Sequence, residues 1–174
     1  MTSILVACVG NIFKSDDGFG VEVAAHLSAE PIPDDVRVVD FGIRSVHLVY
    51  ELLSGYDVLV LVDTVGRQTG PPGTLYLLEP DLPPRDLSGQ VPEVVMDAHD
   101  LTPGDVMTLV PVLGGHVDRI LVVGCQPETL EDGIGLSPAV QASVGPAADM
   151  VRRVVDGELT QQTAGRREVV RGGG

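Results

Sequence analysis

Four apolar, β-branched runs punctuate the chain: Ile4–Val9, Val36–Val39, Val58–Val62 and Ile120–Val123. Their hydrophobicity is continuous rather than alternating, which predicts strands covered on both faces, as in a parallel sheet. Between them, apolar residues recur at helical spacing in Gly20–Ala29 and, less cleanly, in Val46–Leu53. Thr102–Leu113 opens on "TPGD", with Thr102 as N-cap, Pro103 at the first helical position and Asp105 in the first turn. Ser137–Val155 opens on Ser-Pro with the same logic. Gly73–Leu78, "GTLYLL", is a further strand, and it follows "GPP" closely, too soon for a helical crossover, so an antiparallel partner or an edge strand is expected. The pattern predicts an α/β fold: a three-layer sandwich whose five-stranded sheet is mostly parallel with one antiparallel strand, and helices on both faces.

The remaining stretches are polar. Residues 79–97, rich in proline and acids, read as a long surface loop. Residues 157–174 hold few large apolar side chains and end in three glycines, so a single domain is expected over 1–156 with a disordered tail after it. Eleven basic residues against 25 acidic ones leave a formal charge of −14. That balance argues against sequence-independent nucleic-acid binding, which depends on phosphate neutralisation. No run approaches the ~20 apolar residues of a membrane span, and no basic segment leads into a long apolar core, so a cytoplasmic location is expected. Cys8 and Cys125 both lie inside apolar runs and read as buried free thiols.

In such a sheet, function gathers at the carboxyl ends of the strands. "GNIFKSDDGFG" follows the first strand, and a glycine-rich strand-to-helix turn commonly cradles a phosphate. Here the turn carries two carboxylates, Asp16 and Asp17. Asp40 ends the second run, Asp63 ends the third, and His99 precedes the capped helix. Singly, each has a plain structural role, as a cap, a turn former or a surface histidine. His26 and His47 lie within helical stretches without neighbouring acids, and His116 sits in a Gly-Gly-His turn; all three read as structural. Taken together, carboxylates and one imidazole at neighbouring strand ends form a mixed oxygen and nitrogen site suited to a borderline divalent ion such as nickel or zinc. The glycines let backbone approach closely, while the acids turn an anion site into a cation site.

The motifs resemble those of the hydrogenase maturation endopeptidases, proteases that trim the large subunit of nickel–iron hydrogenases. The similarity runs from about Ile4 to Val155, through "GNIFKSDDGFG", "VLVLVDTV", "PPGTLYLL", "DAHDLTPGDVM" and "VGCQPETLEDGIGLSP", in the family's order. The resemblance implies that Asp17, Asp63 and His99 contact the metal and carry a metal-assisted cleavage. Asp16 is then a neighbour that supports charge and capping. Asp40-Phe41-Gly42 matches a turn expected to flank the cleft, with Asp40 as a further catalytic candidate; the following Ile43-Arg44 departs from the threonine that the family often places there. The implied substrate is the precursor of the hydrogenase large subunit, already loaded with nickel, from which a C-terminal extension is removed. Nickel would arrive with the substrate rather than reside in the protein, and other divalent cations could substitute. A serine or cysteine nucleophile is not implied.

Two other functions use parts of the same pattern. A nickel carrier would employ the same ligands without cutting, and a nucleotide-binding protein would employ the glycine turn. The second lacks Gly-x-Gly-x-x-Gly and the Gly-Lys-Ser/Thr ending of a P-loop, and its turn is acidic. With every ligand on one chain, a monomer is expected.

Overall fold

The computed structural model describes residues 2–66, 69–81 and 103–171. Residues 82–102, with most of the expected long loop and His99, lie outside the described residues. Strand β1 (Ile4–Val9) is buried along its whole length. It lies between β2 (Val36–Gly42) and β3 (Tyr56–Thr64), parallel to both. Strand β5 (Val117–Cys125) continues the parallel set beside β3, and β4 (Leu75–Leu78) closes the edge antiparallel to β5. The order is β2-β1-β3-β5-β4.

Double coverage explains the continuous apolar runs. Ile4, Val6 and Cys8 point to one face, where they pack with Phe19 and Val23 of helix α1 (Phe19–Leu27) and with Val144 and Val151 of helix α4 (Pro138–Arg171). Leu5, Ala7 and Val9 point to the other, against Leu48 and Leu52 of α2 (Ser45–Leu53) and Val106 and Leu109 of α3 (Pro103–Val112). The period of two sends successive residues to opposite cores, so no position in β1 faces water. Three layers result, as the sequence pattern predicts.

Several boundaries differ from the sequence expectation. Strands β2, β3 and β5 are longer than their apolar runs, so Asp40 and Asp63 lie within strands: Asp40 pairs with Cys8 and Asp63 with Gly124. Ladder hydrogen bonds need no apolar side chain, so pairing continues past the buried stretch. Helix α4 passes the expected boundary at 156 and continues to Arg171. Glu158, only 8% exposed, accepts a hydrogen bond from Arg119 Nη1 at 2.6 Å, and Leu159 packs against the core. Arg119 also forks onto Glu79, Nε to Oε1 at 2.8 Å and Nη2 to Oε2 at 3.0 Å. One arginine thus ties the residue after β4, the start of β5 and α4 together. Among the described residues, no helix is long and apolar enough to cross a membrane.

Candidate active site

The chain order places a topological switch between β1 and β3. From β1 the chain moves outward to β2, then returns to the opposite side of β1 as β3. Connections therefore leave the carboxyl ends of β1 and β3 in opposite directions, opening a crevice between them. Asp17 follows β1 in a short 3-10 turn, Ser15–Gly18, and Asp63 lies next to last in β3.

Glycine brings the two acids into range. A Cβ on Gly20 would stand 2.1 Å from the Val9 carbonyl oxygen and 2.8 Å from that of Val62. No other residue lets the first turn of α1 rest on both strand ends. Gly10 serves the same purpose, since its Cβ would fall 2.0 Å from the Asp17 carbonyl oxygen. The glycines of this turn bring backbone against backbone and thereby carry Asp17 to the crevice.

Asp17 is held from two sides. The Asn11 backbone N–H donates to its Oδ2 at 3.0 Å, and the Thr64 hydroxyl to its Oδ1 at 3.3 Å. The Thr64 backbone N–H donates to Asp63 Oδ1 at 2.7 Å. Burial pushes the Asp63 carboxyl up to about 7; the Thr64 hydrogen bond works against that, and the charge of Asp17 adds to it. Thr64 therefore orients both acids, although no catalytic residue type marks it in the sequence. Its position directly after Asp63 in "VLVLVDTV" is the only signal.

Asp16 has a different task. It is fully buried and caps neither the 3-10 turn nor α1. Its Oδ2 accepts from the N–H groups of Glu128 and Thr129 and the Ser137 hydroxyl at 2.8, 3.1 and 3.0 Å. Its Oδ1 accepts from the Ser137 N–H at 2.6 Å. Burial alone would raise this carboxyl; the N–H groups of Ser137, Thr129 and Glu128 outweigh it and hold the group below its usual range. Asp16 thus fastens the segment after β5, and the start of α4, to the turn after β1.

Asp40 is exposed, and its Oδ1 accepts the Gly42 N–H at 2.8 Å. Arg44 braces the same turn, with Nη2 on the Asp40 carbonyl at 2.7 Å and Nε on the Phe41 carbonyl at 3.1 Å. Arg44 therefore has a structural use, while Ile43 beside it is exposed. His26 and His47 are exposed, and His116 Nε2 lies 2.6 Å from Asp118 Oδ1. Burial pushes the Cys8 thiol up to about 12, aided by Asp40, and the Cys125 thiol up to about 11. Neither supplies thiolate near neutrality.

Two close carboxylates in a half-buried crevice suit a divalent cation, whose charge would offset the repulsion that Asp63 registers. Among the described residues, no group of three His, Cys, Asp or Glu side chains could hold a metal. The third ligand expected from the sequence, His99, lies outside them. A separate groove of about 560 Å³ runs between β4 and α4, lined in part by Leu77, Leu121 and Met150; none of the candidate residues borders it.

Comparisons with known proteins agree on one family. Residues 21–154 match the family model HycI, hydrogenase maturation protease. The chain is 31% identical over 149 residues to the hydrogenase 2 maturation protease of Escherichia coli (strain K12), covering 85% of this chain and 87% of that protein. It is 33% identical over 147 residues to the hydrogenase expression/formation protein HoxM of Azotobacter vinelandii, covering 83% of this chain and 68% of that one. Among solved structures, the hydrogenase maturating endopeptidase HybD from E. coli superposes with a TM-score of 0.71 at 28% identity, over 90% of this chain and 94% of that one.

Proposed function

The chain belongs to the hydrogenase maturation protease family and is a peptidase of hydrogenase maturation, and we propose that it cuts the C-terminal extension from a nickel-loaded precursor of a nickel–iron hydrogenase large subunit. The observation that carries this is the convergence of Asp17 and Asp63 at the β1–β3 crevice, with Asp63 pushed up to about 7. In the nickel-loaded complex an ionised carboxylate of this pair would take a proton from attacking water and return it to the leaving amine. Thr64 fixes both carboxylates through its N–H and hydroxyl, so that neither must reorganise during the reaction.

On this reading nickel belongs to the substrate. Asp17 and Asp63 would contact it, with His99 as the third ligand, and other divalent cations could take its place. When bound, the ion supplies positive charge that positions the precursor and favours the ionised form of Asp63. Asp40, exposed beside the crevice and braced through its carbonyl by Arg44, would flank the incoming chain.

Incubation of the purified protein with nickel-loaded large-subunit precursor tests the proposal. Mass spectrometry should show a shortened large subunit and a released C-terminal peptide. The Asp63→Asn variant should give neither. Intact precursor after incubation with the wild-type protein would overturn the proposal.

A further inference from the structure

Beside the acid pair lies a surface that catalysis alone does not require. Ile12, Phe13, Leu130 and Ile134 are 46%, 64%, 45% and 84% exposed, four of the nine large apolar side chains exposed among the described residues. They come from only two segments, the turn after β1 and the segment after β5. Scattered apolar side chains need no explanation, but a cluster on adjoining segments commonly marks an interaction site.

The two segments are fastened to each other. Gly133 N–H donates to the Phe13 carbonyl and Ser15 N–H to the Gly133 carbonyl, both at 2.9 Å; Asp16 N–H donates to the Thr129 carbonyl at 3.2 Å. The buried Asp16 carboxylate adds four further bonds across the same seam. These apolar groups are therefore displayed on a preorganised platform and cannot fold back into the core. Asn11, the residue before Ile12, donates to Asp17, so the platform is continuous with the crevice.

Its rim is acidic. Glu128, Glu131 and Asp132 are exposed, and Asp132 neutralises Lys14 at 3.0 Å. We infer that this platform docks an apolar segment of the precursor bracketed by lysine or arginine, holding it while the adjoining chain enters the crevice. The apolar centre supplies desolvation, the acidic rim selects a basic flank, and the prior ordering of the loops lowers the entropy of association. The inference rests on the proposed cleavage of a hydrogenase large-subunit precursor.

The test separates docking from cutting. Uncut, nickel-loaded precursor is titrated against the Asp63→Asn protein and against the same protein carrying Phe13→Ser and Ile134→Ser, with binding read by biolayer interferometry. Both added substitutions are at exposed positions, and matching melting temperatures confirm the fold. Binding should weaken at least tenfold, and it should weaken further at about 0.5 M salt, where charges are screened within a few ångström. In the active protein, Phe13→Ser with Ile134→Ser should raise KM by a similar factor and leave kcat unchanged. Undiminished binding by the substituted protein overturns the inference even if wild-type protein cleaves. Loss of binding without any wild-type cleavage leaves docking supported and removes the proposed reaction instead. An unchanged KM for the active protein carrying Phe13→Ser and Ile134→Ser overturns docking, as does a concentration-dependent dimer abolished by Ile134→Ser, which would assign the patch to a second copy of the chain.

Discussion

Asp16 grips Ser137 twice across 121 residues of chain, through the backbone N–H at 2.6 Å and the hydroxyl at 3.0 Å. Its sequence neighbour Asp17 bonds instead to Asn11 and Thr64. Adjacent carboxylates thus divide into one that holds the loops and one that faces the crevice.

That division sets the outcome of Asp16→Asn. An amide cannot accept at both ends, so its NH₂ would meet N–H donors, and the variant should lose about 2 kcal/mol. Melting should fall by roughly 4–8 °C. Asp16 also has a pH signature: its folded pKa is lowered, so its stabilisation is present above the unfolded value and lost as pH falls through the folded one. Below about pH 4 the wild-type melting temperature should therefore approach that of Asp16→Asn.

Asp63 gives the opposite sign. Its folded pKa of about 7 lies above the unfolded value, so the folded state binds the extra proton between about pH 4 and 7. Stability from this group therefore declines as pH rises through that window. Asp63→Asn should melt higher than wild type at pH 8 and show a flatter profile from pH 5 to 8. Scanning calorimetry across that range checks both.

Substitutions at Asp17 should track charge and reach. Asp17→Asn should lose at least about 100-fold in precursor cleavage, whereas Asp17→Glu keeps the carboxylate and should retain part of the activity. His99→Ala should fall with Asp17→Asn, with circular dichroism unchanged. Wild-type cleavage by His99→Ala would remove His99 from the site.

Gly20→Ala tests the close packing beneath the acids. The added methyl meets two backbone carbonyls that cannot rotate away, so α1 must lift from the strand ends. Destabilisation of about 1–3 kcal/mol is expected. The displaced Asp17 should also reduce cleavage more than the fall in melting temperature explains.

Truncation after Asp156 should destabilise the protein by about 1–3 kcal/mol, because it deletes Glu158 and leaves Arg119 with Glu79 alone. Glu158→Gln should show part of the same loss in a thermal melt.

Local patterns made the sheet and helices legible. The continuous apolar run Ile4–Val9, rich in β-branched residues, pointed to a strand with two covered faces, and the short connection before Leu75–Leu78 pointed to an antiparallel partner or an edge. The placement of Asp17 and Asp63 at the carboxyl ends of neighbouring strands was legible because each follows or ends an apolar run. The parts that escaped depend on distant partners. Asp16 bonds residues 112 to 121 positions away, and no spacing in the sequence reveals this. The extension of α4 past residue 156 relies on an ion pair between residues 39 apart, within a stretch poor in apolar side chains.

The β1–β3 pairing also governs when the candidate site comes into being. Thr64 reaches Asp17 across 47 residues, and those residues contain all of β2 and α2. Nonlocal strand pairing is the slow part of folding, since the intervening chain must be ordered before the contact forms. The crevice therefore appears late, as β3 docks beside β1. A chain still collapsing carries both acids but no site, so activity in a refolding experiment should emerge with the last, cooperative phase rather than with the first helices.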